Sequence, residues 1–245
     1  MMAGDISRWR NVAPGASSAV NAPPMLDSAC LHEIHHRAED SAAAMAFALA
    51  ACVRDEEGAI FLIQGRSRQP MHFILSGDGM QAMGIDPARL TIVQAREDRD
   101  VLRAGLDAAR CPGVGTVLLD MQGRFAPYDL TASRRLLLAA ERSGTRVILL
   151  RGPAEPRSSA AWTRWAIKSA PSIPWDADAP GRSAILAELL RSRSGSSVGN
   201  WRLEWLEDQG VFGHAVNGSP LPGLVVSLAA VRTGGANHGA GARAA

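Results

Sequence analysis

A doubly wound α/β domain with a mainly parallel sheet is what this sequence predicts, on three observations. Short runs are apolar at every position, segments of about ten to fifteen residues with one apolar face separate them, and after Arg151 the pattern changes to aromatic and charged residues in alternation. Strands covered by helices on both faces read as continuous apolar runs, whereas a strand with one wet face alternates. The early runs therefore belong to a parallel sheet, and the later ones to antiparallel strands closing one edge towards the C-terminus.

Taken in order, the pattern predicts a strand over 31–35, a helix of small residues over 40–53 begun by an Asp or Ser cap, and a strand over 59–64 between Gly58 and Gly65. A helix over 77–83 and a strand over 90–94 follow. A helix over 98–110 puts Val101, Leu102, Leu106 and Ala109 on one face. A strand over 116–119 ends at Asp120, a helix over 130–143 turns Leu136, Leu137 and Ala140 inward, and a strand covers 146–150. Segments 162–169, 185–193 and 200–206 read as the antiparallel edge strands; in the last, Trp201, Leu203 and Trp205 alternate with Arg202 and Glu204. Residues 1–28 and the low-complexity stretch from about 233 have the composition of flexible ends. The predicted organisation is an N-terminal segment 1–28, a core 29–206 and a C-terminal extension 207–245.

With 245 residues and 47% apolar side chains, the chain can bury one sizeable core. Its apolar stretches fall short of the roughly 20 residues that cross a bilayer, and residues 1–21 lack the pattern of a secretory signal. A cytoplasmic, nucleoid-associated location with no membrane contact is the expectation. Cys30, Cys52 and Cys111 lack paired spacing, which argues against disulfides or a zinc cluster and for reduced, buried thiols. The net charge of +2 is unevenly spread: residues 1–133 hold 12 Arg against 16 Asp and Glu, whereas residues 134–202 hold 11 Arg and one Lys against five Asp and Glu. Lys168 is the only lysine, so chemistry that needs a lysine has a single candidate.

His32-Glu33-Ile34-His35-His36 satisfies the H-E-x-x-H spacing of zinc peptidases, but that chemistry needs His32 and His36 one turn apart on a helix with Glu33 as base. A strand would extend these residues and separate the histidines, so no metal site is assigned. Gly113-Val-Gly115 precedes a strand, where dinucleotide-binding glycines follow one. Asp120 ends a buried strand, where carboxylates of phosphate-loop enzymes help hold magnesium. Laying G-x-x-x-x-G-K-[ST] on the loop after the first strand puts His36 at the first glycine, Ser41 at the second, Ala42 at the lysine and Ala43 at the hydroxyl. Every residue that cradles a triphosphate is replaced, and Glu39 and Asp40 add negative charge. Negligible ATP affinity, no cofactor and no catalytic residues are expected.

The runs Leu-His-Glu-Ile-His-His (31–36), Ala-Phe-Ala-Leu-Ala (46–50), Gly-Ile-Asp-Pro-Ala-Arg-Leu (84–90), Ala-Arg-Glu-Asp-Arg-Asp (95–100), Arg-Cys-Pro-Gly (110–113), Asp-Leu-Thr-Ala-Ser-Arg-Arg-Leu (129–136), Thr-Arg-Trp (163–165) and Trp-Arg-Leu-Glu-Trp (201–205) resemble the ImuA family. The resemblance spans approximately 31–206. It implies a RecA-like fold related to the SulA-like proteins. It further implies a non-catalytic role in the bacterial DNA-damage response, in which ImuA acts with ImuB, a catalytically inactive Y-family polymerase relative, and an error-prone replicative polymerase in translesion synthesis. RecA is a further partner this setting allows; a SulA-like inhibition of cell division is the alternative, ranked above a zinc metallopeptidase at His32, Glu33 and His36. Arg134, Arg135, Trp162, Arg164, Trp165, Lys168, Trp201 and Trp205 combine aromatic and cationic groups suited to protein anchors, to unpaired bases and phosphates, or to a core. Partner contact along these residues, and along 201–230, is the favoured expectation, with DNA contact the alternative.

Overall fold

In a computed structural model, the chain is described at residues 26, 28–53, 58–65, 75–121, 125–153, 157–193, 195 and 198–214. The terminal segments, the 224–230 run, Glu56, Glu57, His72 and His238 lie outside these residues. The parallel strands are β1 (Leu31–His35), β2 (Ala59–Gly65), β3 (Leu90–Ala95), β4 (Val114–Met121), β5 (Arg146–Arg151) and β6 (Thr163–Ala170). The antiparallel ones are β7 (Ala184–Ser192), β8 (Gly199–Leu206) and β9 (Val211–His214). Together they form one nine-stranded sheet in the order β3-β2-β4-β5-β1-β6-β7-β8-β9.

The helices are α1 (Ser41–Val53), α2 (Gly77–Ala82), α3 (Asp98–Ala108) and α4 (Leu130–Ser143). Local chemistry marks several of their ends. The Asp129 carboxylate accepts from the Ala132 N–H at 2.7 Å to open α4, and Gly144, at φ 75°, closes it in the left-handed conformation that glycine adopts without strain. Asp98 and Asp100 in the first turn of α3 complement the positive end of its dipole. Gly115 serves packing: a Cβ on Gly58 would meet the Gly115 Cα at 2.6 Å, so β2 and β4 approach there because neither residue has a side chain.

Two hydrophobic cores lie on opposite faces of the sheet. On one, α1 and α2 cover Ile34, Leu62, Leu118 and Ile148, and Phe47 reaches out to Trp165 (ring centroids 5.4 Å) and Phe212 (6.3 Å). On the other, α3 and α4 cover Leu31, Ile63, Val117, Leu119 and Leu149. Because α1 is packed on nearly every side, its Ala-rich sequence lacks a strong polar face. Among the described residues, no helix is long and apolar enough to cross a membrane.

The structure departs from the sequence expectations at four places. The first of the three late segments is parallel, not antiparallel: β6 pairs with β1 in the register His32↔Thr163 to His35↔Ala166, and only β7 to β9 reverse. In the sheet order β6 lies on the far side of β1 from β5, so the connection from β5 to β6 skips one strand. The sheet also runs beyond position 206, because β9 adds to β8 through Trp205↔Phe212. Asp40 does not cap α1, since residues 38–40 form a separate 3-10 turn. Of the cysteines, Cys52 is buried, Cys30 is half-buried and Cys111 is exposed.

Candidate functional site

The chain leaves β1 towards β2 and leaves β5 towards β6, in opposite directions along the sheet. The gap between these adjacent strands is thus a topological switch point, where open α/β sheets bind ligands outside the strands' carboxyl ends. His35 and Arg151 are register partners there, and the His36 N–H donates to the Arg151 carbonyl at 3.1 Å. The two faces of the sheet present different chemistry at this point.

On the α1 face lies the loop that corresponds to a phosphate loop. The His36 ring Nδ1 donates to the Arg37 carbonyl at 2.8 Å, and the Ser41 hydroxyl donates to the Ala38 carbonyl at 2.7 Å. Ala42 and Ala43 contribute methyl groups only. Asp40 is 7% exposed, and its carboxylate accepts from the Ser169 N–H of β6 at 2.8 Å. A protein carboxylate is therefore already seated at the start of α1. It complements the helix dipole and repels an incoming phosphate. Asp120 sits one residue before the end of β4, level with Gln64 and Leu150, with β5 between it and β1.

The histidine motif lies on β1, a central strand, and not on a helix. Four strand residues separate His32 from His36 by about 13 Å, beyond a shared ligand sphere. The Trp165 Nε1–H donates to Thr163 Oγ1 at 3.0 Å, so the threonine hydroxyl donates onward to His32 Nδ1 at 2.8 Å, and His32 Nε2–H donates to the Ser28 carbonyl at 3.1 Å. Both ring nitrogens are thus engaged in a neutral imidazole. Burial dominates its titration and, with the Arg146 charge, outweighs the Ser28 bond to lower the pKa to about 4.

On the α4 face the same strand carries Glu33, 1% exposed. Its Oε1 accepts from the Tyr128 hydroxyl at 2.6 Å and its Oε2 from Arg164 Nε at 2.7 Å. Burial alone would raise this carboxyl. His35, Arg164 and Tyr128 outweigh it and hold the pKa at about 2. Burial lowers the His35 pKa despite the neighbouring Glu33 carboxylate, whose Oε2 lies 3.6 Å from the ring Nε2. Arg164 also donates to the Arg157 carbonyl at 2.7 Å and to Ser159 Oγ at 2.9 Å, fixing the segment that precedes β6. The Arg151 guanidinium lies 5.0 Å from the centre of the Tyr128 ring.

The predicted contact residues divide. Arg134 and Arg135 are exposed on α4, Trp162 is half-buried, and Lys168 is half-buried with its pKa lowered by desolvation and by Arg37. Arg164 anchors Glu33. Trp165 is wholly buried, stacked at a tilt against Phe47 and Trp201, and Trp205 is buried edge-on to Phe212 at 5.2 Å. These two tryptophans are core and cannot anchor a partner; Trp201 packs partly buried beside them. Reading the sequence missed the Glu33, His35, Tyr128, Arg151 and Arg164 assembly. Two ionisable residues at alternate positions of a buried strand were the available signal.

The sheet order and the two-sided helices, together with the solved structures, define the class: a RecA-like α/β domain. The crystal structure of the RadB recombinase superposes with a TM-score of 0.53 at 11% identity, covering 74% of this chain and 89% of that one, a likeness of fold alone. Within that class the chain resembles ImuA. It is 38% identical over 143 residues to Protein ImuA of Caulobacter vibrioides, in strain NA1000 / CB15N and equally in strain ATCC 19089 / CIP 103742 / CB 15. The alignment covers 53% of this chain and 56% of the relative, so the chain spans about half the length of the curated relatives it matches. No family model matches the chain.

Proposed function

We propose that this chain is a non-catalytic accessory protein of damage-induced translesion synthesis, which acts by binding an ImuB-type inactive polymerase relative and, with it, an error-prone replicative polymerase. The observation that carries the reading is the loop before α1. Asp40 fills the start of the helix with a carboxylate held by Ser169, and Ala42 and Ala43 stand where a lysine and a hydroxyl would meet phosphate. A RecA-like scaffold so altered keeps its surfaces while losing nucleotide chemistry. Resemblance to ImuA supplies the process, and the exposed Arg134 and Arg135 of α4 are the predicted contact residues best placed to reach a partner.

Co-purification of the tagged full chain with the ImuB-type partner from damaged cells tests this. Capture is the expected result, and its failure sinks the proposal. Equilibrium binding of a labelled ATP analogue with magnesium tests the second half, where micromolar affinity would overturn it.

A further inference from the structure

The α4 face holds a concentration of positive charge that the partner reading does not use. Arg164 from β6 and Arg191 from β7 both reach Ser159, and Arg151 from β5, Arg157 from the segment before β6 and Arg193 just after β7 lie within electrostatic reach of this pair. Arg164 donates to Ser159 Oγ at 2.9 Å and Arg191 to the Ser159 carbonyl at 3.3 Å. Arg164 and Arg191 are cross-strand partners, a placement that sets like charges side by side and costs stability unless something offsets it. The Arg193 N–H donates to the Trp162 carbonyl at 2.9 Å, which sets the half-buried Trp162 beside Arg193.

Opposing charge is scarce. Among the described residues, the carboxylate that acts on both Arg151 and Arg191 is Glu33, while Arg157, Arg164 and Arg193 act on them as repelling neighbours. Glu33 is already satisfied by Tyr128 and Arg164. Arg151 is only 2% exposed, yet its Nε has no hydrogen-bond partner, nor has either ring nitrogen of His35 beside it. Buried charges are ordinarily paired, so a guanidinium left, among the described residues, with an aromatic ring and a carboxylate shared with Arg164 is incompletely compensated. The cluster grades from the exposed Arg157 and Arg193, through the half-buried Arg164 and Arg191, to the buried Arg151.

We propose that Arg151, Arg157, Arg164, Arg191 and Arg193 form a seat for a phosphate group, entered from the side of Arg157 and Arg193. Guanidinium forks match the geometry of phosphate oxygens, and several converging on one anion give charge-assisted bonds that water does not replace. Trp162 at the rim supplies a surface on which a base can stack, so the phosphate has two sources: the backbone of single-stranded nucleic acid, or a free phosphate.

The test uses the full chain, with inorganic phosphate and a labelled oligo-dT strand as probes. Phosphate should raise the melting temperature where chloride at equal ionic strength does not. Arg157→Ala with Arg191→Ala should abolish that shift, and Lys168→Ala should leave it in place. Each of the two arginine substitutions should weaken any oligonucleotide binding by about tenfold or more. Oligonucleotide binding that phosphate displaces identifies the nucleic-acid source; a phosphate response without it identifies the free anion. Arg151→Met serves as a second variant: it should melt no lower than the parent in phosphate-free buffer, because it removes an incompletely compensated buried charge. The proposal is overturned if neither probe acts, if the arginine variants respond like the parent, or if a polyglutamate peptide binds where phosphate is inert. None of these results depends on whether the polymerase-like partner co-purifies.

Discussion

The two faces of the sheet meet the same switch point with opposite solutions. On the α1 face the buried carboxylate at the helix start, Asp40, is held by a backbone N–H, and an apolar core packs beneath it. On the α4 face a carboxylate is held by a tyrosine and an arginine inside a group of further arginines. One face has closed its ligand position with its own side chain; the other has accumulated cations it does not fully neutralise. A fold can therefore lose the site it is known by and still hold unspent chemistry on the reverse of the same strand, because alternate residues of β1 face opposite sides.

The largest effect that would break this contrast comes from Glu33. Glu33→Ala leaves the buried Tyr128 hydroxyl without its acceptor and the half-buried Arg164 without its carboxylate, and should destabilise the fold by about 3–5 kcal/mol in urea denaturation. A loss below about 1 kcal/mol would mean that the arginines rearrange freely and that the α4 face is no organised assembly.

Next in size is the pH response, to which both faces contribute. His32 has its folded pKa depressed from 6.5 to about 4, so as pH falls below 6.5 the unfolded chain takes up the proton first. Stability is complete above that pH and declines by roughly 3 kcal/mol on the way to pH 4. Glu33, depressed from 4.5 to about 2, adds a second decline as pH falls through that lower window. Urea midpoints measured from pH 7 to 3 should show both stages, and His32→Gln should shrink the first alone, leaving the part that the lowered pKa of His35 contributes. An unchanged first stage would assign it to another group.

Asp40→Ala should cost about 1.5–3 kcal/mol, the range for a hydrogen bond to a charged group, and should confer no ATP binding, since Ala42 still occupies the lysine position. ATP affinity in that variant would show that Asp40 alone had closed the loop. Smallest in stability is the double substitution Arg134→Ala with Arg135→Ala on the exposed side of α4, expected within about 0.5 kcal/mol of the parent. Its effect should fall instead on partner capture, weakened about tenfold or more; equal loss of stability and capture would remove α4 from the interface.

Much of the fold was legible because its signals are local. Continuous apolar runs announced β2, β4 and β5, and Asp129 with Gly144 marked both ends of α4. The direction of β6 was not, because an alternating pattern reports a wet face and not whether the neighbouring strand runs parallel. The degenerate loop could be read position by position, since phosphate cradles depend on a contiguous motif. Trp165 and Trp205 could not be told apart from surface anchors, because an indole beside an arginine serves a core as readily as an interface.

What the sequence determined by itself is the class of fold and the loss of the phosphate-loop residues, since both rest on residues near one another in the chain. Only the tertiary structure decided that Asp40 is tied to Ser169, that Glu33 is clasped by Tyr128 and Arg164, and that Arg164 and Arg191 from two strands both reach Ser159. Those contacts join residues up to 131 positions apart. The charge of a side chain is written in the sequence; its counter-ion depends on which strands the sheet sets side by side.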